Sequence, residues 1–243
     1  MSQPAPESGV SPFAVLAEKH NVKVIFRPFI KTELYSAKEF RAQKVNLPDY
    51  TALCFTTTKC IDYFFQIAEE LRFKVGENMK YFCQSEMIAN YLQKYINYRK
   101  RKVFFSEEGT IADMMTLVVK KAGEKILVIR PETNNDDIVA AFDKAGVDYK
   151  LACICRTVSN NFGPDEPFDY DMLLFFSPHG VAALKANFPD WEQGEAMIGC
   201  SGKLTAQAIR DAGLRLDIEV PNEKHASLAP AVDEVIKENH KRR

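Results

Sequence analysis

Four short stretches carry side chains that can meet an anion, and all four interrupt the chain in the same way. In "LLFFSPHGVAALKANF" (173–188) an apolar run stops at Ser177-Pro178-His179-Gly180 and a helical pattern begins. The same change occurs at Thr56-Thr57-Thr58-Lys59, at Cys83-Gln84-Ser85-Glu86 and at Ser201-Gly202-Lys203-Leu204-Thr205. A strand that turns directly into a helix leaves the first N–H groups of that helix without partners. With a hydroxyl and a cation nearby, those groups suit a carboxylate or a phosphate. The plainer reading is that each hydroxyl only caps its helix. Two such turns in one unit, at one sheet edge, favour the anion. Ser177, His179 and Gly180, Thr57 and Lys59, Ser85, and Lys203 and Thr205 are therefore candidate binding residues. The Gly202-Lys203 turn is not a Walker loop, because the Gly-x4-Gly-Lys-Ser/Thr spacing is missing.

Arg130 closes "KILVIRP" and joins the candidates, since a guanidinium grips a carboxylate with two parallel hydrogen bonds. Arg27 and Arg156 have the same chemistry, with a surface ion pair as the plainer alternative. His20, His179, His225 and His240 are scattered, and no Ser-His-Asp set follows from their spacing. The six cysteines mostly lie in apolar runs, where a free thiol behaves as a small hydrophobe. Cys153 and Cys155, two apart, are expected on one strand face, but no Cys or His pair at metal-ligand spacing accompanies them. The expectation is no metal and a reducing cytoplasm. "RKRK" (99–102) reads as a solvated basic face, because the net charge of −1 lacks the surplus of a nucleic-acid binder. No stretch is apolar enough to cross a bilayer, and the opening "MSQPAPESGVSPF" has neither a basic nor an apolar signal region.

The elements that must position these turns alternate. The apolar runs are "VKVIFRPFI" (22–30), "TALCFTT" (51–57), "KYFCQS" (80–85), "KVFFSE" (102–107), "KILVIRP" (125–131), "YKLACICRTV" (149–158), "MLLFFSP" (172–178), "AMIGCSG" (196–202) and "LDIEVP" (216–221). Amphipathic helical patterns separate them. Several of these stop at Gly or Asn, and the closing Lys-Arg-Arg would complement the last helix dipole. Strand–helix alternation predicts an α/β protein with parallel sheets.

The chain also repeats itself. "TALCFTTTKCIDYFF" resembles "DMLLFFSPHGVAALKANF", and "KYFCQSEMIANYLQKY" resembles "AMIGCSGKLTAQAIRDAG". Two similar units of five strand segments each follow, in cyclically shifted order. The predicted domains are a split one, 1–29 plus 162–243, and a contiguous one, 36–154. Two crossings, 30–35 and 155–161, are predicted to pair as a two-stranded β ladder. The first copy has nothing matching "KILV" before it, so the native start is expected upstream of Met1.

At this point the chain resembles uroporphyrinogen-III synthase over nearly its whole length. The resemblance rests on the split arrangement and on "FFSPHGVAALKANFP", "IGCSGKLTAQAIRDAGLRLDIEVP", "CFTTTKCIDYFF" and "ICRTVSN", and it is greatest to the Bacteroidetes-type branch. It implies two α/β domains with the active site in their cleft. The implied substrate is hydroxymethylbilane, a linear tetrapyrrole with acetate and propionate arms. The implied reaction loses water, closes the ring and inverts the last pyrrole through a spirocyclic intermediate, with no cofactor. It implies a cytoplasmic monomer and allows a transient contact with the preceding pathway enzyme, with no nucleic acid or membrane partner. Ser177 and Gly180 match the family's Ser-Pro-x-Gly turn, Thr205 its Gly-Pro-Thr-Thr turn, and Thr57 and Lys59 its Thr-Ser-Pro-Arg turn. Ser85 falls near the next hydroxyl position.

Three positions depart from the family pattern. Cys155 stands where the family has a Tyr as its best candidate acid, so the proton donor is left open, with water or Tyr149 as substitutes. Lys203-Leu204 loses one hydroxyl and gains a cation, and Thr58-Lys59 replaces Pro-Arg. The alternative from another class is a non-enzymatic two-lobed binding protein for an anionic small molecule such as a tetrapyrrole. A phospho-receiver module is disfavoured, because no strand ends on the acidic set that its metal ion needs.

Overall fold

The computed structural model describes residues 1–6, 9–121, 123–132, 136–163 and 168–242, with side chains to 239. The closing Lys-Arg-Arg side chains thus lie outside the described residues. The chain divides into two compact units, Met1–Lys31 with Thr157–Arg243, and Thr32–Arg156.

The contiguous unit contains α2 (Ala37–Ala42), β2 (Ala52–Phe55), α3 (Thr58–Glu70), β3 (Lys80–Cys83), α4 (Glu86–Tyr91), β4 (Val103–Phe105), α5 (Ile111–Val119), β5 (Ile126–Pro131) and α6 (Asp137–Ala145). The unit boundary passes within β1 (Ile30–Leu34) and β6 (Tyr149–Ser159), which are neighbours in the sheet. Its strand order is β1-β6-β5-β2-β3-β4, and β2 through β6 run parallel. The continuous apolar runs follow from burial on both faces. Leu53, Phe55, Leu127 and Ile129 join Phe64 and Ile67 of α3 in one core. Ala52, Cys54, Ile126 and Val128 join Met114 of α5 and Phe142 of α6 in the other. Gly146 ends α6 at φ 62°, a left-handed conformation that glycine adopts without a Cβ clash.

The split unit has α1 (Pro12–His20), β7 (Met172–Phe175), α7 (Pro178–Asn187), β8 (Met197–Ser201), α8 (Lys203–Asp211), β9 (Ile218–Val220) and α9 (Leu228–Arg242). Its sheet is parallel in the order β7-β8-β9. Phe175, Ile198 and Cys200 pack with Leu184 of α7 and Ile209 of α8. Leu174, Ile218 and Val220 pack with Phe13 of α1 and Val232 of α9.

Two expectations need correction. The run 22–30 was expected to be a strand, but only Ile30, the first residue of β1, is in one. The preceding residues meet a two-residue neighbour instead. Ser2 N donates to Leu174 O (2.9 Å), while Arg27 N and Phe29 N donate to the carbonyls of Met1 (2.9 Å) and Ser2 (3.2 Å). Among the described residues this sheet has three strands rather than five. The second correction concerns β6. Arg130 pairs with Cys153 but Pro131 with Cys155, so Ile154 is an extra residue. This bulge interrupts the alternation along β6, and Cys153, Ile154 and Cys155 all pack against the same core.

Candidate functional site

Strands β2 and β3 lie in register, Phe55 beside Cys83, so their carboxyl ends finish together. Gln84 N donates to Phe55 O at 3.1 Å and ties the two turns side by side. Thr57 is extended and its Oγ1 accepts from Cys60 N at 3.2 Å, capping α3. Ser85 caps α4 in the same way, accepting from Ile88 N at 3.4 Å. In the split unit, β7 and β8 also finish together, Phe175 beside Cys200. Ser177 caps α7 and accepts from Gly180 N at 3.3 Å.

Capping and anion binding are compatible at these hydroxyls. The oxygen accepts the helix N–H, while its own hydrogen remains able to donate to a carboxylate. The start of α8 is different. Gly202 sits at φ 92° and supplies no side-chain cap. That terminus keeps its N–H groups and the positive end of its dipole for another acceptor, with Lys203 exposed beside it.

The structure sorts the predicted residues. Thr57, Lys59, His179 and Lys203 are exposed, and Ser85 and Ser177 are half-buried. Gly180 is buried and its N–H is already used by Ser177, so its contribution is packing: a Cβ there would meet Phe175 and Ser2 at 3.4 Å. Thr205 is buried at 3% exposure, while Leu204 is 78% exposed in the same turn. Arg130 is buried and already engaged. Its Nη1 and Nη2 donate to Asp136 Oδ1 at 3.1 Å each, and its Nε to Pro131 O at 3.2 Å. Arg156 pairs with Glu33 (2.9 Å) and Glu39 (2.7 Å). Arg27 lies 4.2 Å above the Phe162 ring and donates to Tyr170 Oη at 3.0 Å.

Cys155 is closed off by the core. Burial pushes its thiol up to about 11, with the neighbouring Cys60 and Cys153 adding to the shift and Lys59 opposing it. Tyr149 donates to Asp143 Oδ1 at 2.9 Å from the other end of β6. Six residues of strand separate it from Cys155, roughly 20 Å, so it belongs to the amino edge of the sheet. Sequence reasoning missed Tyr35. Its backbone N donates to Ile154 O at 2.9 Å, next to Cys155, and its phenol hydrogen-bonds Glu132. Burial and then that carboxylate hold the phenol protonated, up to about 12. No periodicity could have found it, because the pairing spans more than a hundred residues. Among the described residues, no group of three or more His, Cys, Asp or Glu side chains could hold a metal.

A family model described as uroporphyrinogen-III synthase HemD matches residues 11–229. A search of curated proteins gives no match. Among solved structures, uroporphyrinogen-III synthetase from Helicobacter pylori aligns with 90% of this chain and 96% of its own, at 16% identity and a TM-score of 0.55. A mutant uroporphyrinogen III synthase from Thermus thermophilus aligns with 95% and 94%, at 15% identity and a TM-score of 0.47, and carries no weight. The first likeness shows the fold. The family match spans both units and all the cap turns, and by it the chain belongs to the uroporphyrinogen-III synthase family.

Proposed function

We propose that this member of the uroporphyrinogen-III synthase family works chiefly by holding its substrate's carboxylates on the turns at the strand ends. The reaction closes hydroxymethylbilane, inverts its last pyrrole and releases water. The bilane carries acetate and propionate arms, so its recognition calls for several anion-accepting points. The observation that supports this reading is the pairing of such turns on adjacent parallel strands in each unit, Thr57 with Ser85 and Ser177 with Gly202-Lys203.

The binding set is Thr57, Lys59, Ser85, Ser177, His179 and Lys203, with Gly180 and Thr205 shaping the turns from below. Arg130 acts from within, holding Asp136 at the start of α6. The chemistry needs little acid–base machinery. The terminal hydroxyl leaves with one proton as water, and the resulting cationic carbon is attacked by the last ring. Orientation then decides which ring carbon attacks, and held geometry can supply much of the barrier lowering. The buried Cys155 thiol donates no proton to the leaving hydroxyl in this scheme.

The domains act as 1–29 plus 162–243 and 36–154, with 30–35 and 155–161 as the link. We also place the enzyme in the cytoplasm as a monomer that receives the bilane from the preceding enzyme. The six free thiols support a reducing compartment. Among the described residues, no helix is long and apolar enough to cross a membrane.

The test is a coupled cyclisation. Hydroxymethylbilane is generated in situ, the chain is added, and the oxidised products are separated into type I and type III isomers. Excess type III is expected. Type I alone, from folded protein, would overturn the reading in favour of a binding protein without turnover.

A further inference from the structure

A cavity of about 900 Å³ lies in the contiguous unit, away from the cap turns. It opens between the second half of α3, the loop after it, and the segment that leads into β4. This is the amino edge of the sheet. α3 has 13 residues, so Arg72 beyond its far end is roughly 20 Å from Thr57 at its start.

Aromatic side chains form the wall. Phe65 and Tyr95 stack with centroids 4.4 Å apart and planes 3° apart, and Phe73 lines the cavity beside them. All three are partly buried against the core and leave part of each ring at the cavity wall. Charge is uneven: five Lys or Arg line the cavity against three Asp or Glu. Two of those acids are already occupied. Asp62 accepts from Tyr91, Tyr95 and Lys94, and Glu77 pairs with Arg99 at 3.2 Å. Arg72 and Lys74 are exposed and make no side-chain hydrogen bond or ion pair. Arg72 also holds φ 57°, a conformation that ordinarily favours glycine. The "RKRK" cluster is partly absorbed here, since Arg99 and Lys102 line the same space.

We propose that this cavity binds a planar tetrapyrrole carrying carboxylates, its ring against Phe65, Phe73 and Tyr95 and its carboxylates on Arg72 and Lys74. Aromatic faces stack on flat rings, and clustered guanidinium and ammonium groups take anions. The volume is near the top of the range for small-molecule sites, which suits a ligand larger than one nucleobase. The assignment of a tetrapyrrole rests on the function proposed above. The ring can be a metal-free porphyrin with many carboxylates or a metallated one with fewer.

The full chain is titrated with uroporphyrin III, followed by fluorescence anisotropy, and with haem, followed by absorbance. The variant is R72G–K74E, which removes both cations and leaves a residue suited to the left-handed position. Saturable binding is expected, about tenfold weaker in R72G–K74E, as for two exposed charge contacts. Tighter uroporphyrin identifies the metal-free ring as the source, and tighter haem the metallated one. Absence of saturable porphyrin binding overturns the proposal. So does binding insensitive to R72G–K74E, or ATP binding in place of porphyrin. R72G–K74E should still form type III isomer at the rate of the unmodified chain. Failure of the unmodified chain to form it would remove the functional reading while leaving a charge-dependent porphyrin titration intact.

Discussion

Replacement of Ser177 by Asp separates the two roles that its hydroxyl can play. As a cap, Ser177 accepts from Gly180 N at 3.3 Å. Asp caps about as well as Ser, so S177D should keep folding stability to within a few tenths of a kcal/mol, whereas S177A should lose about 1 kcal/mol. As an anion site the two substitutions behave differently. Ala removes one donor, while Asp sets a carboxylate against the substrate's carboxylate. Two like charges about 4 Å apart repel by about 4 kcal/mol at an effective dielectric of 20. Ser177 is half-buried, so solvent and salt reduce this to about 1.5 kcal/mol, close to tenfold in binding. The expected result is unchanged urea unfolding for S177D, with KM raised about tenfold and a larger share of type I isomer. The assay measures isomer ratio and KM with hydroxymethylbilane generated in situ. A folded S177D whose KM and isomer ratio match the unmodified chain would refute the reasoning and leave Ser177 as a helix cap only.

Other outcomes follow from the packing and the ion pairs. In Gly199→Ala, the new Cβ would stand 2.7 Å from Leu174 Cδ2 and 3.3 Å from Ile218 Cβ. Overpacking should cost about 1–3 kcal/mol, read as a lower urea midpoint; an unchanged midpoint would show that the sheet yields there. Glu39 is held down to about 2 from 4.5 by the Ser36 backbone N–H first, then the Ser36 hydroxyl and Arg156. Because its folded value is depressed, its contribution is complete above 4.5 and is lost as pH falls toward about 2. Stability of Glu39→Gln should therefore fall less steeply across that acid window, and equal slopes would mean that the capping box does not form in solution. Native Cys155 should resist alkylation near neutral pH, because burial pushes its thiol up to about 11, and should label only on unfolding. Cys155→Tyr should not gain activity. The position is 3% exposed, so a phenol there overpacks the core at about 1–3 kcal/mol; increased type III formation would contradict this account.

The cap turns were legible because they are local. An apolar run, a hydroxyl and a helical pattern within some sixteen residues dictate strand, cap and helix, and the structure has Thr57, Ser85 and Ser177 each capping its helix. The parallel sheets were legible for a related reason. Runs such as "ILVI" are apolar at every position because alternate residues enter opposite cores. Burial inside a run was not legible. Thr205 read as a ligand hydroxyl and Cys155 as the stand-in for the family's candidate acid, and packing takes both inside. The extra residue in β6 beside Cys155 is one that no single-strand pattern reveals.

Partners distant in sequence were decided by tertiary structure alone. Tyr35 reaches Ile154 because β1 and β6 are neighbours, and Arg27 and Phe29 bond to Met1 and Ser2 rather than to a strand. The cavity at Phe65, Phe73 and Tyr95 is assembled from α3, the loop after it and the segment before β4. The sequence by itself determined where β2, β3 and β7 end and which hydroxyl starts the helix after each, since nearest-neighbour geometry and capping control those events. Which side chains face a ligand was decided only when the strands paired, because register and bulges set direction through hydrogen bonds between segments far apart in the chain.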